Sequence, residues 1–220
     1  MDGYSQNYQK KLDAFLMEQK REGIIPHLLL HACCAPCSSY CLEYLSSYFR
    51  ITVFYYNPNI TKAEEYRRRT QEIERLVREM KFENPVDLLE GTYDPGYFFD
   101  NVRGLEKEPE GGARCEKCFE LRLKEAAKKA SDIGAQYVTT TLTISPLKNA
   151  ALLNEIGDRQ ASAYGVKYLF SDFKKRDGYK RSIELSKEYG LYRQDYCGCI
   201  FSEMEARQKR QKSTQPPSEK

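Results

Sequence analysis

Eight of the 220 residues are cysteine, and they are grouped rather than scattered. Cys33, Cys34, Cys37 and Cys41 form one group, Cys115 and Cys118 a second, Cys197 and Cys199 a third. No basic–apolar–small leader follows Met1, so a secreted disulfide framework is not expected, and thiols in a reducing cytoplasm stay reduced. Sulfur at these spacings points instead to metal binding or redox chemistry. Cys115-Glu116-Lys117-Cys118 precedes a stretch of helical pattern, so both sulfurs can face one centre near a helix's positive end. Cys33-Cys34 leaves an apolar run where Pro36 suits the first turn of the next helix. Both settings favour thiolate over thiol. Brought together, Cys33, Cys34, Cys115 and Cys118 supply four thiolates, the ligand set of a [4Fe–4S] cluster or a structural zinc. Burial as small hydrophobes is the plainer alternative.

The third group favours iron–sulfur over zinc. Gly198 lets the backbone turn tightly enough for the sulfurs of Cys197 and Cys199 to meet, and a disulfide in so small a ring is strained and easily reduced. A structural zinc has no use for a neighbouring redox pair; an electron-transfer site does. Cys37 is near enough to touch the same site, whereas Cys41, one helical turn on, reads as core. His31, at the end of a buried run, reads as a satisfied core histidine rather than a ligand. Lys174-Lys175-Arg176 with Lys180-Arg181, and Arg67-Arg68-Arg69, lie beside Tyr179 and Tyr66, a combination suited to phosphate contact and base stacking. A Gly-rich phosphate loop, an H-E-x-x-H motif and a nucleophile elbow are all missing from the sequence.

Strands alternating with helices must position these residues. His27–His31 reads as a buried strand followed by a helix from Pro36. Ile51–Tyr56 is a second strand, before the polar helix Ala63–Met80. Val86–Leu89 is a third, and a long loop, Glu90–Arg114, leads to Cys115 and a helix over Phe119–Ala130. Tyr137–Ile144 and Val166–Phe170 are the fourth and fifth strands, with a helix over Asn149–Tyr164 between them. This alternation predicts a single α/β domain, a Rossmann-like parallel sheet flanked by helices. Nearly every unusual motif follows a strand, so these loops should gather at the sheet's carboxyl edge, where ligands bind. Residues 1–24, with Tyr4, Tyr8, Leu12, Phe15 and Leu16 at helical spacing, are expected to form an N-terminal helix; 25–202 the α/β domain; 203–220 a short helical stretch and then, from Arg207, a disordered polar tail.

Lys and Arg total 35 against 32 Asp and Glu, a net charge of +3, too mild to establish nucleic-acid binding by itself. The longest apolar runs, such as Leu28-Leu29-Leu30, fall far short of the roughly 20 residues of a membrane span. A cytoplasmic protein without membrane association is expected.

Residues 31–37 (HACCAPC), 54–60 (FYYNPNI), 110–118 (EGGARCEKC), 139–149 (TTTLTISPLKN) and 195–201 (DYCGCIF) together resemble the QueH family of epoxyqueuosine reductases. The resemblance covers residues 25–202 in order. It implies a HUP-like α/β fold and the last step of queuosine synthesis on tRNA, in which the epoxide of epoxyqueuosine at the anticodon wobble position is reduced, without cobalamin. By position it implies that Cys33, Cys34, Cys115 and Cys118 hold a [4Fe–4S] cluster and that Cys197 and Cys199 are the redox-active pair, replenished by an external electron donor. The resemblance further implies a second metal ion, iron, with Cys37 as a ligand, at a position where some members carry an acidic residue instead. Two other readings compete: a zinc-stabilised RNA-binding protein without catalysis, and a sulfur-inserting tRNA enzyme. The missing pyrophosphate-binding loop weighs against the latter.

Overall fold

His27–His31 (β1) is buried at all five positions, as a strand covered on both faces must be. In this computed structural model, which describes residues 7–214, β1 is the centre of a five-stranded, all-parallel sheet. Its other members are β2 (Arg50–Tyr55), β3 (Val86–Glu90), β4 (Tyr137–Thr140) and β5 (Lys167–Tyr168), in the order β3-β2-β1-β4-β5. Among the described residues the sheet is accompanied by eight α-helices: α1 (Tyr8–Glu22), α2 (Ala35–Leu45), α3 (Ala63–Glu79), α4 (Pro95–Asn101), α5 (Ala113–Asp132), α6 (Ala150–Ala163), α7 (Gly178–Glu188) and α8 (Ile200–Thr214). None of them is long and apolar enough to cross a membrane.

The period-2 alternation of β1 divides the core into two layers. Leu28 and Leu30 join Leu12 and Leu16 of α1, Leu42 and Leu45 of α2, and Ile73 and Leu76 of α3. Leu29, between them, faces the other way, onto Leu121, Ala126 and Ala130 of α5 and Ala161 of α6. Each buried leucine contributes about 1.5–3 kcal/mol, so a one-residue slip of β1 would exchange both faces at once.

The expected α/β architecture is present, with local differences that have physical causes. β4 stops at Thr140, and Thr141–Ile144 turns as a 3₁₀ helix. There the Thr140 hydroxyl accepts from Leu142 N at 3.2 Å and the Thr141 hydroxyl from Cys33 N at 3.2 Å; short hydroxyl side chains divert backbone from the ladder. The long loop contains α4, started by Pro95 and capped by Asp94. α5 begins at Ala113 rather than Phe119, so Cys115 and Cys118 lie on its opening turns rather than ahead of it. β5 is two residues long. Residues 207–214, expected to be disordered, continue α8, held by Arg207–Glu203 at 2.7 Å and by Arg210–Asp195. Tyr4 and Pro216-Pro217 lie outside the described residues.

Candidate functional site

β1 ends at His31, whose ring is completely buried. Its Nε2–H donates to Tyr56 O at 3.1 Å and its Nδ1 accepts from the Thr140 hydroxyl at 2.8 Å. Burial pushes its pKa down to about 3, so it is the neutral, satisfied core residue expected. Just beyond, Asn57 Nδ2 donates to Ala32 O at 2.9 Å, fixing the turn that carries Cys33. Cys34 occupies the N-cap of α2 in extended conformation, and Pro36 lies in its first turn. Cys37, on that same turn, completes a group: the sulfurs of Cys33, Cys34 and Cys37 lie within 4.8 Å of one another, Cys33 and Cys34 at 3.8 Å. Cys41 is fully buried core.

Hydrogen bonding among these three sulfurs favours the thiolate at Cys33. Hydrogen bonds from Cys34 and Cys37 pull Cys33 well below the usual thiol range, with help from Arg122 and Lys148. Donation to Cys33 pushes Cys34 up to about 12 and holds Cys37 well above its ordinary value. At Cys115 and Cys118 burial works against the helix end: Cys118 is pushed up to about 12 and Cys115 is also raised.

Cys115 and Cys118 share their cavity with Cys197 and Cys199, alongside Phe98 and Lys148. Gly111 N donates to Cys115 Sγ at 3.2 Å. Arg114, buried behind it, donates to Glu106 O at 2.9 Å and pairs with Glu205 at 3.2 Å, tying the preceding loop to α5 and α8. The Cys197-Gly198-Cys199 turn is gripped by Arg69, which donates to Cys197 O at 3.0 Å and pairs with Glu65 at 2.7 Å. Thr61 N donates to Gly198 O at 3.3 Å. No disulfide joins any of the eight cysteines.

The sulfurs therefore fall into a tight triad, Cys33, Cys34 and Cys37, and a looser quartet, Cys115, Cys118, Cys197 and Cys199. Two features join them. Cys33 and Cys115 pack against one apolar cluster built on Phe119, Leu142 and Leu153. Cys197 and Lys148 line both the quartet's cavity and an open cleft that holds the triad. The half-buried Lys148 loses some basicity to burial but more than regains it from the neighbouring sulfur groups. Such a sulfur-rich site, flanked by cations, fits a thiolate-bound metal centre.

The basic clusters behave differently from a uniform solvated face. Lys174 pairs with Asp172 at 2.6 Å and Arg176 with Asp13 at 2.5 Å, while Lys175 is exposed. Of Arg67-Arg68-Arg69, Arg69 is buried on the cysteine turn and Arg68 stacks 3.4 Å over Tyr192. Asn57, Arg122 and Lys148 were not singled out by sequence reasoning. Their signal was position: Arg122 four residues after Cys118 on one helical face, the other two inside motifs that follow strands.

A parallel α/β sheet whose carboxyl rim gathers thiols and buried cations defines the class: a Rossmann-like α/β protein with a cysteine group that could hold a metal ion. The sequence profile of one family in that class, described as Epoxyqueuosine reductase QueH, matches residues 28–205. Proteins named Epoxyqueuosine reductase QueH are similar along most of their length. That of Streptococcus pyogenes is 45% identical over 198 residues, 89% of this chain and 78% of the relative. That of Staphylococcus epidermidis is 46% identical over 202 residues, 90% and 85%, and that of Thermotoga maritima 34% over 188 residues, 83% and 93%. The chain belongs to the QueH family, whose members are oxidoreductases.

Proposed function

We propose that this protein reduces the epoxide of epoxyqueuosine at the tRNA anticodon wobble position to queuosine, in the cytoplasm, with electrons from an external donor. Cys33, Cys34, Cys115 and Cys118 would hold a [4Fe–4S] cluster, and Cys37 a second metal ion, iron. The cluster would supply electrons one at a time and the second metal Lewis acidity at the epoxide oxygen. Cys197 and Cys199 form the redox-active pair. Opening an epoxide to an alkene and water takes two electrons and two protons, and a dithiol that closes to a disulfide releases two of each.

The observation that carries this reading is the position of Cys197 on the border of both sulfur groups, within reach of electrons from one side and a substrate from the other. Tyr179, 38% exposed on the rim of the open cleft, supports entry of a base there. Lys174, Lys175 and Arg176, on the loop before α7, are the proposed phosphate contacts. Anaerobic reconstitution with iron and sulfide, followed by nucleoside analysis of epoxyqueuosine-containing tRNA, tests the proposal. A brown protein that forms queuosine supports it. A colourless protein with one zinc and no product would favour instead the zinc-stabilised RNA-binding reading, to which three sulfurs within 4.8 Å are equally suited.

A further inference from the structure

Three arginines are almost completely sealed from solvent around the sulfur groups: Arg69, Arg114 and Arg122. Arg69 and Arg114 each pair with a glutamate. Arg122, 1% exposed, is different. Its Nη2 donates to Asn57 Oδ1 at 2.5 Å, whereas Nε and Nη1 meet no hydrogen-bond partner among the described residues. A buried guanidinium without a compensating anion costs several kcal/mol, and buried donors left unpaired cost more. The groups that raise its pKa against burial are sulfurs: Cys118, one turn back on the same face of α5, then Cys197 and Cys33.

We infer that Arg122 is a positioning cation for the sulfur centre, its fixed charge favouring the reduced cluster and so raising the reduction potential. The inference rests on the cluster reading above. Reduction adds one electron to the centre, with no bond made or broken, and a neighbouring positive charge stabilises the more negative state. Charge and hydrogen bonding at the sulfurs are the means by which a protein moves such potentials. Arginine suits the task because it stays protonated throughout the working pH range. Asn57 holds it in place: one end of that amide accepts from Arg122 and the other donates to Ala32 O, so a single side chain fixes both the guanidinium and the turn carrying Cys33.

The test is the midpoint potential of the anaerobically reconstituted full chain, read by electron paramagnetic resonance during a dithionite titration, with iron and sulfide counted per chain. Arg122→Gln should keep wild-type cluster content and disfavour reduction at least tenfold, a shift of 59 mV downward for a one-electron couple. Arg122→Lys should recover most of that shift. Asn57→Asp, nearly isosteric, sets a carboxylate against the guanidinium and should move the potential the same way while leaving Arg122 in the fold. Unchanged potentials in cluster-loaded Arg122→Gln and Asn57→Asp overturn the inference and leave the cluster reading standing. If Arg122→Gln fails to load, Asn57→Asp decides alone. A wild-type chain that takes up no cluster overturns both.

Discussion

Gly198 is where a single methyl group should separate the redox turn from the fold. Its φ is +126°, a region in which a side chain costs about 1–3 kcal/mol. A Cβ there would lie 2.8 Å from Ile60 Cγ1 and 3.2 Å from Arg69 Nη1. Crowding of that kind adds about 1–3 kcal/mol where neighbours are fixed, and Arg69 is fixed by Glu65, Cys197 O and Tyr196 O. Gly198→Ala therefore faces roughly 2–6 kcal/mol of strain if the turn stays in place. Releasing the turn instead gives up the Arg69 hydrogen bond, about 1.5–3 kcal/mol for a charged donor, and the Thr61 bond, about 0.5–1.5 kcal/mol. This second route caps the loss, so global stability in urea should fall by no more than about 4.5 kcal/mol while the cysteine turn detaches. Two readouts check this. Multiple-turnover reduction should collapse, and Cys199, only 7% exposed, should react with a thiol reagent far faster than in wild type. Gly190→Ala is the control: its φ is +56° but no atom lies within 4 Å of the added carbon, so it should cost about 1–2 kcal/mol and leave Cys199 protected. A Gly198→Ala protein with stability within about 0.5 kcal/mol of wild type, full turnover and a protected Cys199 would refute the reasoning.

Other consequences are more direct. The Cys197→Ser, Cys199→Ser double variant should retain iron and visible absorption yet lose multiple turnover; iron loss on elemental analysis would make the pair ligands instead. Cys115→Ala should bleach the absorption and lower the melting temperature of reconstituted protein, since metal binding couples to folding, and full iron retention would remove Cys115 from the ligand set. On the loop before α7, Lys175→Ala should reduce the salt slope of tRNA binding by about 1. Lys174→Ala should change that slope less, because Asp172 already neutralises Lys174; equal slopes measured for the two variants would count against Lys175 as a phosphate contact.

Much of the architecture was legible without coordinates. The apolar run His27–His31, the alternation of strand and helix patterns, and the habit of motifs to follow strands all depend on neighbours a few residues apart. They led to a parallel sheet with its chemistry at one rim, and the core role of His31 and the helix start at Pro36 followed from the same short-range rules. Where hydroxyls competed for backbone, at Thr140 and Thr141, periodicity overran the strand end. At α5 and α8, helix continued where charge and polarity had suggested loop or tail.

The partition of the sulfurs was decided by tertiary packing alone. In sequence, Cys33 and Cys34 pair with Cys115 and Cys118 by similarity of setting. In the fold, Cys37 closes a triad with the first pair, because α2 brings it back one turn, and Cys197 and Cys199 stand beside the second pair, because Arg69 and Thr61 hold their turn there. The buried arginines illustrate the same division. A sequence registers Arg69 and Arg122 as surface charge, since charged side chains are rarely buried unless paired. Whether a partner waits inside depends on segments far apart in the chain, and for Arg122 that partner is Asn57, 65 residues earlier.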